Sequence, residues 1–136
     1  MIDTAGRFLA TVGVGGDAGN VTYDPGRRGG QVLVDVQSRN QVVVIDATGL
    51  RVTRRVDVPG CDHPHGLALD PAHRLGFIAC DADATLHILD LDTLAITQAP
   101  AVGDGPDVLA VDPASAGCTS PPRAAPSPCC ARTGAG

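Results

Sequence analysis

Lysine, glutamate and tryptophan are absent from this 136-residue chain, and aromatic residues make up only 2% of it. The ten basic residues are all arginine, and the fifteen acidic residues are all aspartate. With so few aromatic rings, a core must be built from valine, leucine, isoleucine and alanine. The formal charge of −5 provides no basic surface for a phosphate backbone, so no nucleic-acid partner is predicted.

Long apolar runs and catalytic signatures are also missing. No stretch approaches the roughly 20 apolar residues of a membrane-spanning helix, so no membrane span is predicted. The first residues, Met1 to Gly6, lack the basic start and apolar run of a secretory signal. There is no Gly-x-Ser-x-Gly elbow, no phosphate-loop lysine and no Cys-x-x-Cys-His haem attachment. No catalytic residue and no cofactor is therefore predicted.

What the chain does contain is a repeated phrase. Leu67–Pro71 reads Leu-Ala-Leu-Asp-Pro, returns as Leu-Ala-Val-Asp-Pro at Leu109–Pro113, and is found more loosely at Val21–Pro25. The Asp-Pro pairs begin at positions 24, 70 and 112, which gives steps of 46 and 42 residues. The Val-Ile-Asp that ends at Asp46 returns 44 residues later as the Ile-Leu-Asp that ends at Asp90. A period of about 40 to 45 residues, made of short apolar strands and turns, is typical of β-propeller blades.

The repeat predicts an all-β fold of propeller blades, each with four antiparallel strands, in too small a number to close a ring. The predicted units of this partial propeller over 1–113 are 1–16 (end of a blade), 17–59 (blade), 60–103 (blade) and 104–113 (start of a blade). Residues 114–136 are rich in proline and cysteine and show no strand alternation. This tail is predicted to be disordered, or to be the product of a frameshift.

The segment from Gly60 to Leu94 resembles the YVTN-repeat β-propellers, also called YncE-like proteins. Residues that match that family's blade pattern are Pro64, Ala68, Asp70, Pro71, Asp90 and Thr93, and again Pro106, Ala110, Asp112 and Pro113. The tetrapeptide that names the family is replaced by Phe77–Cys80 and Leu33–Val36. The resemblance implies a non-catalytic scaffold that binds a small ligand or a protein, and it implies export to the periplasm or outside the cell.

A fragment of a propeller enzyme is the alternative, either a lactonase-like hydrolase or a cofactor-dependent oxidoreductase. Lactonases resembling the gluconolactonase family hold a divalent metal with a glutamate among its ligands, and this chain has no glutamate. An oxidoreductase requires haem or quinone attachment residues, and none is found. Whether the chain is an enzyme stays open, and the binding scaffold is favoured.

Polar residues align between the repeats just before each predicted inner strand. In a propeller this loop lies beside the central channel, where ligands usually bind. The predicted ligand-facing rim consists of Asp17, Asp62, His63, His65, Asp104 and Asp107. His63 and His65 are two residues apart, so their rings point the same way in an extended segment. Since a metal needs three or four ligands and no second cluster is evident, no metal site is predicted, and hydrogen bonding across blade loops is the favoured role.

Cys61 and Cys80 flank the same predicted hairpin. With Leu69 opposite Leu75, Cys80 faces Pro64, three residues from Cys61. Either a disulfide or two buried thiols fit this placement. The odd total of five cysteines argues against a complete disulfide set.

An open set of blades predicts self-association of the isolated chain. The blade face around Val42, Val44, Leu86 and Ile88 is expected to lack part of its covering blades. The third unit is expected to end after its first strand, which leaves an unpaired edge.

Overall fold

The computed structural model describes residues 1–98, 101–112 and 117–119. Within these ranges the chain forms strands and one short 3-10 turn, Gln37–Arg39. The strands are β1 (Ala18–Asp24), β2 (Gln31–Val36), β3 (Gln41–Asp46), β4 (Arg51–Asp57), β5 (Pro64–Asp70), β6 (Leu75–Cys80), β7 (Thr85–Asp90), β8 (Ile96–Gln98), β9 (Ala110–Asp112) and β10 (Gly117–Thr119). In this part of the chain, no helix has the length and apolar character needed to cross a membrane.

The strands form two four-stranded antiparallel sheets and one hairpin. Strands β1 to β4 pair in chain order and make the first blade, and β5 to β8 make the second blade in the same way. Strands β9 and β10 form the hairpin. The prediction of an all-β fold of four-stranded blades is confirmed, and the described residues do not close a ring.

The hairpin includes a strand that the composition did not predict. Gly117–Thr119 pairs antiparallel with Ala110–Asp112, so the first strand of the third unit has a partner within the predicted tail. The rest of the segment 114–136, for which disorder or a frameshift was predicted, lies outside the described residues.

The turns between strands repeat in backbone conformation as well as in sequence. Three turns of each blade contain a residue with positive φ, and equivalent residues lie 44 positions apart. The pairs are Gly30 (φ 73°) with Arg74 (57°), Asn40 (51°) with Ala84 (53°), and Leu50 (50°) with Leu94 (61°). Such a residue closes a tight hairpin turn and aims the chain into the next strand. The same turn conformations therefore recur every 44 residues, so the two blades share their hairpin geometry.

The repeated aspartates that mark the period hold these turns. Asp24, Asp46, Asp70 and Asp90 each accept a hydrogen bond from the backbone N–H two residues ahead, over 2.9 to 3.1 Å. This arrangement is an Asx turn, in which a side chain replaces a backbone acceptor. The most recognisable residues of the sequence are thus occupied in forming the turns.

The main core lies between the two blades. Its buried members come from both sheets and from the connection between them: Leu33, Val42, Val44, Val58, Cys61, Leu67, Ile78, Cys80, Leu89 and Leu91. The expectation that Val42 and Val44 are uncovered is wrong, because this inter-blade core includes them at 0% and 2% exposure. Leu86 is also buried, at 6% exposure. The exposed large apolar side chains are instead Ile2, Phe8, Leu9, Val21, Tyr23 and Val108.

One ion pair joins the blades at the turn end. The carboxylate of Asp24, fully buried, accepts hydrogen bonds from both Nη atoms of Arg74 at 2.6 and 3.0 Å. Gln31 Nε2 donates to the same carboxylate at 2.9 Å. Burial opposes ionisation of Asp24, but the bonds from Arg74, Gly26 and Gln31 hold its pKa below the usual range. Leaving one partner of such a buried pair alone costs roughly 3–5 kcal/mol, so this contact helps fix the orientation of the blades.

Candidate functional site

The predicted rim lies where β1 and β5 begin, and the structure uses His63 there to connect loops. Its backbone N–H donates to Asn40 Oδ1 of the first blade at 3.2 Å, and its carbonyl accepts from the N–H of Asp81 at 3.0 Å. The backbone has a left-handed φ of 56°. The exposed imidazole lies 3.3 Å from the exposed Asp62 carboxylate. The backbone of His63 therefore ties the two blades together, while its ring remains accessible.

His65 connects the second blade to the third unit. Its Nδ1 lies 3.0 Å from Asp107 Oδ1, and the two side chains are about one-third exposed (34% and 31%). A Cβ at the neighbouring Gly66 would lie 3.1 Å from the carbonyl oxygen of Asp107, so the two backbones approach closely here. The lack of a side chain at residue 66 permits this approach.

The remaining rim residues are placed separately. Asp17 accepts from the N–H of Gln37 at 2.9 Å and donates its own N–H to Ser38 Oγ at 3.0 Å, both through its backbone. Asp104 is exposed. The structure thus brings together Asp62 with His63, and His65 with Asp107. A single ligand-facing rim made of all six residues stays a prediction.

Cys61 and Cys80 are joined by a disulfide, with their Cα atoms 5.4 Å apart. Cys80 pairs with Pro64, but not by the predicted register, because the turn pairs Asp70 rather than Leu69 with Leu75. A β-bulge between Pro64 and Gly66 shifts the register by one residue and so places Pro64 opposite Cys80. The imidazole of His87 lies beside the two sulfurs, with one nitrogen within 4.8 Å of both. Sequence reasoning did not single out His87. The available signal was the 44-residue step, which aligns His87 with Val43 of the first blade.

Two buried polar side chains in the described part of the chain have unpartnered atoms near this core. His87 is fully buried, and its Nδ1 makes no hydrogen bond. Asp35 on β2 is also fully buried, and neither of its carboxyl oxygens has a partner. Burial raises the pKa of Asp35 to about 8, because a carboxylate cannot be solvated there. Unpartnered buried polar groups are uncommon in folded proteins and point to strain or function.

A cleft of about 320 Å³ opens at the opposite end of the blades from the rim. It is lined by Arg27, Arg28, Gly30, Gln31, Val44, Asp46, Thr48, Thr53, Arg54, Asp92 and Leu94, and is called the arginine cleft below. Both blades contribute to it, the first through two turns and β4, the second through the turn that follows β7. Three guanidinium side chains therefore surround one cavity in a chain whose net charge is −5.

Most of the other polar groups of the arginine cleft are already engaged. Asp46 accepts from the N–H and the hydroxyl of Thr48 at 2.9 and 2.7 Å. Asp92 accepts from Arg74 Nε at 3.1 Å, and its carbonyl accepts from Arg27. Within the described residues, the side chains of Arg28 and Arg54 make no hydrogen bond or ion pair. Their charges are therefore available to a ligand.

The sequence carried only a weak signal for this cleft. The turn that contains Arg27 and Arg28 is longer than its counterpart in the second blade, which explains the 46-residue step. Arg54 lies on β4, and its approach to that turn depends on how the strands and blades pack. No local sequence pattern predicts that Arg54 lies close to the turn of Arg27 and Arg28.

A solved structure shares this fold. Hydrazine synthase from Kuenenia stuttgartiensis matches 68% of this chain with a TM-score of 0.62 at 20% sequence identity. The present chain spans 26% of that protein, and at this identity the match supports the fold alone. The two four-stranded sheets are thus propeller-like blades. No family model matches the sequence, and no curated protein matches it.

Proposed function

We propose that the chain is a non-catalytic propeller scaffold of the YncE-like type, and that it binds a small anionic ligand in the arginine cleft. One observation carries this proposal: Arg27, Arg28 and Arg54 converge on one cavity at the junction of two blades. In an acidic chain, this local excess of guanidinium groups favours an anion there.

A second cleft provides an internal contrast. It lies at the rim end and is lined by Gly15, Arg39, Gln41 and Arg55. There, Arg39 donates to the carbonyl of Gly15 at 2.7 Å, and Arg55 donates to the carbonyl of Val14. These guanidinium groups serve to hold the preceding segment. Arg28 and Arg54 have no such role within the described residues, which favours the arginine cleft as the ligand site.

The chemistry of the lining indicates the ligand class. Guanidinium groups form paired hydrogen bonds with carboxylates and phosphates, which have matching planar or tetrahedral oxygens. Val44 and Leu94 add apolar surface to the same cavity. Its volume of about 320 Å³ is near the lower end for ligand pockets, which run from roughly 300 to 1,000 Å³. A small phosphorylated or multiply carboxylated metabolite matches both the positive charge of the lining and the volume of the cavity.

The rim is proposed as a second, polar surface for a ligand or protein partner. Its imidazole–carboxylate pairs, Asp62 with His63 and His65 with Asp107, suit a partner that exchanges hydrogen bonds. The arginine cleft is the primary proposal because two of its guanidinium groups, those of Arg28 and Arg54, have no protein partner in the described part of the chain.

Calorimetric titration with inorganic phosphate and with citrate tests the proposed function. We expect saturable binding that weakens as salt is raised. In an Arg28→Gln, Arg54→Gln variant, we expect affinity to fall by roughly tenfold or more, since each hydrogen bond to a charged group contributes about 1.5–3 kcal/mol.

Arg51→Gln is the matched control. Arg51 is an exposed arginine of the same strand as Arg54 but does not line the cleft. Its loss removes one positive charge, half of the change in the double variant, and should leave the affinity nearly unchanged. An equal loss of affinity per removed charge in both variants would show a general charge effect and would contradict a site in the cleft. A failure of both phosphate and citrate to bind would also contradict it.

A further inference from the structure

Three metal-ligating side chains meet in the inter-blade core. One atom each of Cys61, Cys80 and His87 lies within 4.8 Å of the other two. Their exposures are 5%, 0% and 0%. Cys80 ends β6, His87 lies on the adjacent β7, and Cys61 lies in the connection between the blades. The three groups come from separate segments and are held together by the packing of the fold.

Comparison of the two blades shows that two of these residues depart from the repeat. Moving 44 positions back aligns Cys80 with Val36 and His87 with Val43, which are both fully buried valines. An imidazole at a core valine position has a desolvation cost unless it is hydrogen-bonded. His87 Nε2 lies 3.2 Å from Thr85 Oγ1, but Nδ1 has no partner. The imidazole thus has an unused donor or acceptor atom in a buried core beside two sulfurs.

We infer that the reduced chain binds one zinc ion through the sulfurs of Cys61 and Cys80 and an imidazole nitrogen of His87. Two thiolates and a neutral imidazole form a known zinc donor set, with the fourth position left open. The two negative charges of the thiolates balance the charge of Zn²⁺, which matters in a core that solvates ions poorly.

A redox step opens this site. A dithiol reductant transfers two electrons to the disulfide by exchange: the bond between Cys61 and Cys80 breaks, the dithiol closes to a new disulfide, and its two protons end on the cysteine sulfurs. Zinc then displaces both protons to solvent as it binds. The disulfide and the zinc site are therefore mutually exclusive states of the same two sulfurs.

A second buried polar group, Asp35, lies on the first blade outside the cluster of Cys61, Cys80 and His87. Asp35 lies two residues from Leu33 on β2, so both side chains project from the same face of that strand. Leu33 belongs to the inter-blade core, and the carboxyl oxygens of Asp35 have no partner. The core of two apolar sheets thus holds an imidazole and a carboxyl group, each with unused hydrogen-bonding atoms.

Zinc titration of the phosphine-reduced full chain tests this inference. The other thiols are removed by replacing Cys118, Cys129 and Cys130 with serine. We expect one zinc per chain, two protons released per zinc, weaker binding as pH falls, and a thiolate-to-metal absorption band with cobalt. The oxidised chain should bind no zinc at this site.

Two variants locate the site. His87→Val restores the residue found at the equivalent position of the first blade, so the blade should fold, as its β-rich circular dichroism spectrum would show. Its zinc affinity should fall by about 100-fold or more, because loss of a group that only supports a ligand already costs roughly 10- to 100-fold. His63→Ala, His65→Ala removes the rim imidazoles and should leave the affinity unchanged. Failure of the reduced chain to bind zinc, equal binding by folded His87→Val, or loss of binding in the rim variant would each overturn the inference.

Discussion

At the residue scale, two buried aspartates of the first blade have opposite environments. Asp24 is surrounded by donors, chiefly Arg74, and its pKa is lowered despite its burial. Asp35 has no partner, and burial raises its pKa to about 8. Both lie in the first blade, yet one favours folding as a carboxylate and the other only as a neutral acid. Local sequence places Asp24 in a turn and Asp35 within a strand, but the strongest partner of Asp24, Arg74, comes from the packing of the second blade.

Asp35 predicts a loss of stability with rising pH. An unfolded aspartate has a pKa near 3.9, and the folded group releases its proton only near pH 8. The folded state therefore binds the proton more tightly, so its advantage is complete below about pH 4, declines between about pH 4 and 8, and is lost above that range. In the wild type, we expect the free energy of unfolding to fall by about 1.4 kcal/mol for each pH unit in this range. In Asp35→Asn, which has no proton to release there, this contribution to the pH dependence should be absent.

Urea denaturation at several pH values measures this slope. Asp104→Asn, which removes an exposed carboxylate, is the charge control. The assignment is wrong if Asp35→Asn and the wild type show parallel pH profiles.

At the element scale, the hairpin turns explain why a repeat with varied sequence gives the same blade twice. The left-handed residues recur at a step of 44, although the residue types differ in two of the three pairs, Gly30 with Arg74 and Asn40 with Ala84. Residues other than glycine are disfavoured by about 1–2 kcal/mol in this conformation. The turn geometry is therefore maintained against local preference by the strands on either side.

Ala84 offers a direct test of that strain. It closes the turn between β6 and β7 with a φ of 53°. We expect Ala84→Gly to raise the free energy of unfolding by about 0.5 kcal/mol, since relief of strain exceeds the added freedom of the unfolded chain. Ala82→Gly in the same turn, where φ is not positive, should lower it by about 0.4–1 kcal/mol. Thermal or urea unfolding of both variants measures these changes. If the free energy of unfolding falls in both, the positive φ of residue 84 carries no strain.

The elements that the sequence predicts are those with local signals. Strand alternation and the aspartates of the turns lie within a few residues of each other, so they define blades without knowledge of the packing. The arginine cleft and the cluster at His87 combine residues from different turns and sheets. Arg28 and Arg54 are separated by a whole hairpin, and His87 differs from Val43 only when the repeats are aligned. The step of 44 residues is visible in the sequence. To see that His87 takes the place of a buried valine, however, one also needs the strand register and the burial that the structure shows.

At the scale of the whole molecule, large apolar side chains are exposed in the N-terminal segment, on β1 and in the segment before β9. The exposed large side chains include Val21 and Tyr23 on β1. They also include Ile2 and Phe8, whose backbones form an isolated antiparallel β-bridge. Full burial of such a side chain contributes roughly 1.5–3 kcal/mol, which is a strong drive toward contact with another apolar surface. The described blades therefore present surfaces that further blades or a second copy can cover.

Self-association of the isolated chain is the expected outcome. Size-exclusion chromatography with light scattering should give a mass above 13.7 kDa that rises with protein concentration. Val21→Thr keeps a β-branched residue on β1 while adding a hydroxyl, so it should shift the distribution toward the monomer without loss of strand content. A monodisperse monomer over the whole concentration range would contradict the prediction.

The contact between Arg74 and Asp24 also determines the order in which blades can be joined. A Cβ at Gly26 would lie 2.1 Å from Arg74 Nη1, so the guanidinium in its observed position occupies the space of a side chain at residue 26. In the second blade, the position two residues after its Asp-Pro aspartate, Asp70, is Ala72. A tandem duplicate of the second blade placed behind the original would meet that methyl group and lose the bidentate pair. The two blades are therefore not interchangeable modules, and recombination or engineering of this array has to conserve each junction together with the blades on both sides of it.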